Sequence, residues 1–279
     1  MNSLIRRVEE DFRWSQRTRG DSVDDTYRVS QSASRPNAGE HAGARYSRRM
    51  GNTVTFSSNG HQASGYLALP TSGTGPGVIV VQEWWGLDSG IVTICDELAE
   101  AGFVALAPDL YHGELAGHTE MDKAGALMAA LPMDRAAADM SGAVDYLCDH
   151  EATTGSGIGV MGFCMGGMLT FVLAAARPDR VRAAVPFYGF PSGDSQPDYS
   201  AITAVIRGHM AENDDFFPPS GATELEARLR SAGVDASLTV HPGTGHAFMA
   251  PHNALGTQDS SLAERLWPEV HAFLRSALT

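Results

Sequence analysis

The sequence has little cysteine and no long apolar run. Its three cysteines are Cys95, Cys148 and Cys164. No two of them have the spacing of a CxxC redox motif or a zinc knuckle, and their number is odd, which favours a reducing compartment. A membrane helix needs about 18 consecutive apolar residues, and the N-terminus lacks the apolar core of a signal peptide. We therefore expect a cytoplasmic protein with no membrane partner, metal or other cofactor.

Positive charge is scarce outside the N-terminal fifty residues. The formal net charge is −13, yet residues 1–50 hold ten of the 20 basic side chains and seven of the 33 acidic ones. Residues 51–279 therefore carry a net charge of −16, which makes nucleic acid an unsuitable partner. Residues 15–49 are polar without apolar periodicity, and such segments cannot offset their ordering entropy. We predict a disordered extension over 1–49 and one folded domain over 50–279.

Strand and helix patterns alternate along the predicted domain. Alternating apolar residues over 53–56 and 64–70 predict an opening antiparallel hairpin. Continuous apolar, β-branched runs follow, as is typical of strands buried on both faces of a sheet. These predicted strands are 77–83, 103–111, 157–161, 183–189, 204–210 and 236–241. The predicted helices are 90–101, 119–131, 134–149, 165–177, 220–232 and 260–278.

This alternation predicts an α/β fold with a mostly parallel sheet of about eight strands and helices on both faces. Asp88 or Ser89 is expected to cap the first helix, and Ser220 or Gly221 the fifth. Ligands of such sheets bind beyond the carboxyl ends of the strands. Reactive side chains at those ends are therefore the candidates for a site.

A cysteine occupies a glycine-flanked turn between a predicted strand and a predicted helix. Residues 162–167 read GFCMGG, which is the G-x-nucleophile-x-G arrangement with Cys164 in place of serine. The small neighbours allow a sharp turn, and the positive end of the helix favours the thiolate. The N–H of Met165 would point at an oxyanion. Cys164 is the candidate nucleophile, whereas Cys95 and Cys148 lie in helical patterns and are expected to be structural.

An acid and then a histidine should follow the nucleophile along the chain. His246 lies on a loop before the last helix, where an imidazole could reach a thiol. His209 and His241 lie in or at the end of predicted strands and are poorer candidates. The acid is Asp214 or Asp215. A proline follows four residues after each of them, so spacing does not choose between the two.

A further carboxylate ends a buried strand. Glu83 follows the run GVIVVQ and precedes Trp84 and Trp85. A charge beside two indoles loses hydration and needs a partner. We expect Glu83 to lie in the cleft near Cys164; the alternative is that it simply reaches water at the strand end.

Together these motifs resemble the dienelactone hydrolase family, the carboxymethylenebutenolidases. The resemblance spans roughly residues 50–278 and implies an α/β-hydrolase fold. Each motif is moderately specific by itself, and the five in this order are strongly so. They are Gln82-Glu83-x-x-Gly86, Pro108-Asp109-Leu110-Tyr111, GFCMGG at 162–167, Asp214-x-x-x-Pro218 and Gly245-His246-x-Phe248.

The resemblance also implies roles for single residues. It implies a triad of Cys164, His246 and Asp214, which favours Asp214 over its neighbour. It implies that Glu83 holds the resting cysteine as a neutral thiol and takes its proton when substrate enters. The backbone N–H groups that it assigns to the oxyanion hole are those of Trp84 and Met165.

The sequence departs from the family where substrate is bound. Family members that use dienelactone bind its carboxylate with arginines, and four residues past the histidine this chain has Ala250. A second arginine belongs within 119–125, where only Lys123 is present, and lysine does not replace a bidentate arginine. Trp84, Trp85 and Phe248 predict an aromatic pocket mouth, with packing in the core as the alternative.

The function expected from these residues is hydrolysis of activated esters or lactones by a cysteine nucleophile. The substrate is a small molecule, and the protein is expected to be a monomer or a weak dimer. One alternative is a general carboxylesterase or thioesterase with a different, neutral substrate. The other is a thiol sensor on the same scaffold, whose Cys164 is oxidised reversibly without turnover.

Overall fold

The predicted hairpin and the buried strand runs form one mixed sheet. The computed structural model describes residues 51–193 and 196–279, so the predicted extension over 1–49 lies outside the described residues. Within the described chain, none of the helices has the length and hydropathy needed to cross a bilayer. The strands of the sheet are β1 (Gly51–Ser58), β2 (His61–Ala68), β3 (Gly75–Val81), β4 (Val104–Pro108), β5 (Thr153–Phe163), β6 (Val181–Phe187), β7 (Val205–Asn213) and β8 (Ala236–Gly245).

The side on which the chain adds new strands to the sheet changes at the centre of the sheet. The order is β1-β2-β4-β3-β5-β6-β7-β8. The pairs β1–β2 and β2–β4 are antiparallel, and the remaining pairs are parallel. After β3 the chain adds β4 on one side, and then crosses to add β5 on the other side. A crevice for ligands forms at such a switch point, which here lies between the ends of β3 and β5.

Helices cover both faces of the sheet. They are α1 (Ser89–Glu100), α2 (Met121–Ala130), α3 (Met133–Asp149), α4 (Met165–Ala176), α5 (Pro219–Ser231) and α6 (Ser260–Leu278). The α/β class predicted from the sequence is confirmed.

The alternating side chains of β3 show how the two faces are filled. Val78 and Val80 belong to the core cluster that includes apolar residues of α1 and α6, whereas Ile79 and Val81 belong to the cluster that includes those of α3 and α4. All four are fully buried. Successive side chains of a strand point to opposite faces, and each such burial contributes about 1.5–3 kcal/mol. The apolar run of β3 is continuous because its alternate side chains fill two separate cores, one on each face of the sheet.

Two predicted boundaries differ from the structure for local reasons. The strand predicted over 103–111 ends at Pro108, because the Asp109 carboxylate accepts hydrogen bonds from the N–H groups of Tyr111 (3.1 Å) and Gly113 (2.6 Å) and forms a turn. The prediction that Ser220 or Gly221 caps the fifth helix is wrong. Pro218 is the cap residue and Pro219 the first helical residue, since the fixed φ of proline suits the first turn.

Candidate active site

Cys164 lies on a strained turn at the end of β5. Its φ of 54° and ψ of −116° are unusual for a residue with a side chain, because most such residues clash at positive φ. The Cys164 N–H donates to Phe187 O at the end of β6 (3.1 Å), and the Cys164 carbonyl accepts from Met168 N in α4 (3.2 Å). The turn is therefore fixed by β6 on one side and by α4 on the other.

The glycines around this turn are required by contact with backbone. A Cβ on Gly162 would lie 2.1 Å from Gly166 O, and one on Gly166 would lie 2.3 Å from Val81 O. Both distances are far inside van der Waals contact. The strand–turn–helix geometry of a nucleophile elbow is thus present, and it exposes the cysteine at the carboxyl edge of the sheet.

His246 and Asp214 form a buried pair at the same edge. The Nδ1 atom of His246 lies 2.8 Å from Asp214 Oδ2. Asp214 Oδ1 accepts hydrogen bonds from the N–H groups of Phe216 and Phe217, both at 2.9 Å. Asp214 and His246 are 5% and 7% exposed, whereas Asp215 is exposed to solvent. Of the two aspartates left open by spacing, Asp214 is the one that orients the imidazole.

The surroundings of His246 favour its charged form. Burial by itself would lower the pKa of His246, but the charge of Cys164 and the hydrogen bonds to Asp214 and Cys164 outweigh it and raise the pKa to about 10. Since Nδ1 is bound to Asp214, Nε2 is the nitrogen left for the sulfur. An imidazolium between a carboxylate and a thiolate is stabilised by both, so the arrangement suits a thiolate–imidazolium pair.

Glu83 lies at the same edge, two residues past the end of the neighbouring strand β3. Val81 of β3 is paired with Gly162 of β5, and Glu83 and Cys164 each follow two residues later. Glu83 is 5% exposed, and its Oε2 atom lies 2.8 Å from Nε2 of His252. The carboxylate is thus in the cleft, and its hydrogen-bond partner is an imidazole.

His252 was not found by the sequence analysis. It lies two residues past Ala250, the position where the family resemblance expects an arginine. That departure is the signal that could have directed attention to the next cationic side chain along the loop. Burial lowers the pKa of His252, but the hydrogen bond and charge of Glu83, with the charge of Asp88, raise it above its ordinary value.

A second histidine–carboxylate pair packs against the first. The His118 and His252 rings have centroids 4.0 Å apart. His118 Nε2 lies 2.7 Å from Asp88 Oδ2, and Asp88 Oδ1 accepts from Ile91 N and caps α1, as predicted. The edge of Trp85 contacts both imidazoles. Glu83, His252, His118 and Asp88 therefore form a row of contacting groups. It runs from Glu83 in the cleft to the partly exposed pair of His118 and Asp88.

Tyr188 is a further buried group that the sequence analysis did not single out. It directly follows β6 with a φ of 34°, is fully buried, and packs its ring edge-on against His246. Burial first, and then the charges of Glu83 and Cys164, raise its pKa well above the ordinary value. Its hydroxyl is electrostatically coupled to Glu83, although it makes no hydrogen bond of normal geometry with a described residue. No pattern in the sequence predicts the positive φ of Tyr188.

The remaining cysteines and histidines lie elsewhere. Cys95 is fully buried in α1, and Cys148 is half-buried in α3. Burial raises the pKa of both thiols. His209 and His241 bond to each other, with Nδ1 and Nε2 3.0 Å apart. Neither imidazole is free to serve Cys164.

The groups expected to contact substrate occupy different environments. Trp84, whose N–H is an expected oxyanion donor, directly follows Glu83, and Met165 begins α4. Trp85 is 2% exposed and packs with Ala116 and Ala124, so it forms part of a small core. Phe248 is fully buried against Tyr188 and His241, as the alternative of core packing foresaw. Lys123 is exposed near the start of α2.

The strand order, the elbow after β5, and the acid and histidine after β7 and β8 define an α/β-hydrolase. The family model described as "Dienelactone hydrolase family" matches residues 63–278. The chain belongs to this family, and it is a hydrolase acting on carboxylic ester or lactone bonds.

Relatives and solved structures agree with this assignment. The chain is 38% identical over 236 residues to "Protein usf" of Aquifex pyrophilus, covering 82% of this chain and 100% of that protein. It is 37% identical over 206 residues to a "Putative carboxymethylenebutenolidase" of Aquifex aeolicus (72% and 87%). A crystal structure described as "Putative Dienelactone Hydrolase" from Klebsiella pneumoniae is 26% identical, with a TM-score of 0.68 and coverage of 80% and 98%.

Proposed function

We propose that the chain hydrolyses activated esters and lactones with Cys164 as the nucleophile, His246 as the general base and acid, and Asp214 as the group that orients the imidazole. The observation that carries the proposal is the placement of His246. It is bonded to Asp214 and coupled to Cys164, and its pKa is raised to about 10 after opposing burial is overcome. A histidine held in this way keeps the proton that the thiol gives up.

The first half of the reaction forms an acyl-enzyme. The Cys164 thiolate attacks the acyl carbon, and the negative charge moves to the carbonyl oxygen. The N–H groups of Trp84 and Met165 are proposed to stabilise this oxyanion. The C–O bond to the leaving group then breaks, and the His246 imidazolium donates its proton to the departing oxygen.

The second half regenerates the enzyme. Neutral His246 accepts a proton from water as the water attacks the thioester. The C–S bond breaks, the carboxylic acid leaves, and the thiolate–imidazolium pair forms again. In a lactone, the leaving oxygen stays joined to the acid product. A thiolate leaves the tetrahedral intermediate more readily than an amine does, so amides are poor substrates.

Glu83 is the second carboxylate of the proposed site. The family resemblance implies that Glu83 takes the proton of Cys164. Because Glu83 Oε2 is bound to His252, we propose instead that the charge of Glu83 affects the ionisation of Cys164 and that His246 carries the thiol proton.

The substrate class proposed is a neutral lactone or ester with a good leaving group. Three observations favour it over an anionic substrate. Ala250 stands where the resemblance expects an arginine and is buried. Lys123 is exposed, and His252 is already paired with Glu83. Trp85 and Phe248 are buried, and we propose that they support the cleft from below, since Trp85 packs edge-on against His252 and Phe248 against Tyr188.

Steady-state kinetics test the function and the substrate class together. We expect measurable kcat/KM on an activated neutral ester and on neutral enol-lactones, and a lower kcat/KM on cis- and trans-dienelactone, which carry a carboxylate. Higher kcat/KM on the dienelactones would overturn the neutral-substrate proposal. Absence of turnover on the whole panel, with stoichiometric modification of Cys164, would favour the thiol sensor.

A further inference from the structure

His246 and Glu83, each a member of a buried ion pair at the edge of the sheet, have opposite effects on Cys164. His246 favours the thiolate, because an imidazolium attracts a negative sulfur. Glu83 opposes it, because two negative groups in one desolvated site repel each other. Glu83 and Cys164 each lie two residues past the paired Val81 and Gly162 of β3 and β5, whose strands lie about 4.8 Å apart, and the charges of both reach the buried hydroxyl of Tyr188. The charge of Glu83 must therefore be cancelled before a thiolate can form beside it.

His252 is placed to cancel that charge. Its Nε2 atom lies 2.8 Å from Glu83 Oε2, and the two side chains are 11% and 7% exposed. An interaction of this length in a nearly dry site is strong, and removal of one partner leaves an uncompensated charge. Within the described part of the chain, the hydrogen bonds and ring contacts of His252 are with Glu83, Ala254, Trp85 and His118 and not with the elbow, so its influence on the sulfur passes through Glu83.

We propose that His252 is a positioning residue that neutralises the Glu83 carboxylate and holds it away from the sulfur, so that the Cys164 thiolate can form. The proposal rests on Cys164 as the nucleophile of the proposed function. His252 thereby becomes part of the proposed site through its pairing with Glu83. In this chain, the reactivity of the cysteine depends on a histidine that lies outside the triad.

The groups that face His252 define how it can titrate. Glu83 faces it from the end of β3, Asp88 from the start of α1, and His118 from the loop before α2. The two carboxylates favour a positive imidazole. The rings of His118 and His252 have centroids 4.0 Å apart and are tilted by 38°, and positive charges on both rings would repel each other. A single positive charge is best placed on His252, because its partner Glu83 is more deeply buried than Asp88.

The test is the pH dependence of Cys164 alkylation, which requires no turnover. A variant with Cys95→Ala and Cys148→Ser leaves Cys164 as its one thiol, and the rate with iodoacetamide is followed from pH 5 to 10. In this background, His252→Gln should move the alkylation profile of Cys164 to higher pH. The rate at neutral pH should fall roughly tenfold, since the neutral amide keeps a hydrogen bond but not the charge.

The double variant decides whether the effect passes through Glu83. Glu83→Gln removes the charge that His252 cancels, so adding His252→Gln to it should change the rate less than twofold. His112→Gln is the matched control, because His112 makes the same kind of bond with Asp139 (2.7 Å) in α3. It should leave the profile unchanged.

Two results would overturn the proposal. One is an unchanged alkylation profile in His252→Gln. The other is an equal slowing by His252→Gln in the presence and absence of the Glu83 charge, which would indicate a merely structural role. Failure of the proposed function shows differently: the parent protein would then be alkylated normally but would hydrolyse no ester or lactone.

Discussion

His246 Nδ1 lies 2.8 Å from Asp214 Oδ2 because each residue directly follows a strand end that faces the other. Asn213 at the end of β7 is paired with Gly245 at the end of β8. One residue further, both chains leave the sheet at its carboxyl edge, and the acid and the imidazole meet. The pair is therefore built by strand register, although its members are separated by 32 positions in the sequence.

The nucleophile is tested by comparing the three cysteines. Cys164→Ala should abolish turnover of p-nitrophenyl acetate, because no other described thiol lies on the elbow. Cys95→Ala and Cys148→Ala are the controls and should keep the parent kcat, since both thiols lie within helices and away from the site. Normal turnover by Cys164→Ala would end the proposal of cysteine catalysis.

The acid is tested with two neighbouring aspartates. Asp214→Asn should lower kcat by about 10³–10⁴-fold, because an amide no longer fixes the imidazole tautomer or stabilises the imidazolium. Asp215→Asn should change kcat less than about twofold, since this side chain is exposed. Circular dichroism and urea unfolding would show that both variants are folded. Equal losses in the two variants would contradict the assignment of Asp214.

Acid should destabilise the fold through His209. Burial, followed by the neighbouring His241, lowers the pKa of His209 to about 4. Between pH 6.5 and 4 the unfolded chain therefore binds a proton that the folded chain does not. Stability is lost as the pH falls through this window, by up to about 3 kcal/mol at pH 4.

Urea unfolding at pH 7 and pH 4.5 measures this loss. His209→Gln should reduce the difference between the two pH values, whereas His61→Gln, at an exposed position of β2, should not. If the free energy of unfolding of His209→Gln falls with acid as steeply as that of the parent, His209 does not supply the effect.

The elbow should be intolerant of a side chain at Gly189. A Cβ there would lie 1.9 Å from Cys164 O, so Gly189→Ala should reduce the free energy of unfolding by about 3 kcal/mol and slow alkylation of Cys164. Gly60→Ala is the control, because alanine would be strained at the φ of 87°, but its Cβ would meet no atom within 4 Å beyond the adjacent residues. It should reduce the free energy of unfolding by about 1 kcal/mol. Equal stability of the two variants would mean that the elbow can shift to make room.

Residues 1–49 are expected to be dispensable for the fold and the rate. The family match begins at residue 63, and β1 begins at Gly51. A chain starting at Met50 should keep the melting temperature and the kcat/KM of the full chain. A large loss of either quantity would show that this segment belongs to the domain.

The fold could be predicted closely because its signals are local. Runs such as that of β3 are apolar and β-branched throughout, and only a strand covered on both faces uses such a run. Element boundaries were predicted less closely, because Asp109 ends β4 through hydrogen bonds within its own turn and Pro219 begins α5 through its fixed φ, and the pattern of apolar residues indicates neither effect.

The sequence by itself determined the α/β order, the glycine-flanked cysteine, and the short set of acids and histidines that could serve it. Only the tertiary structure decided between Asp214 and Asp215, gave Glu83 its partner His252, and placed Tyr188 in the site. The physical reason is that glycine spacing and apolar runs act over a few residues. Which carboxylate meets which imidazole depends on strand register and loop path across 32 residues for Asp214 and His246, and 169 for Glu83 and His252.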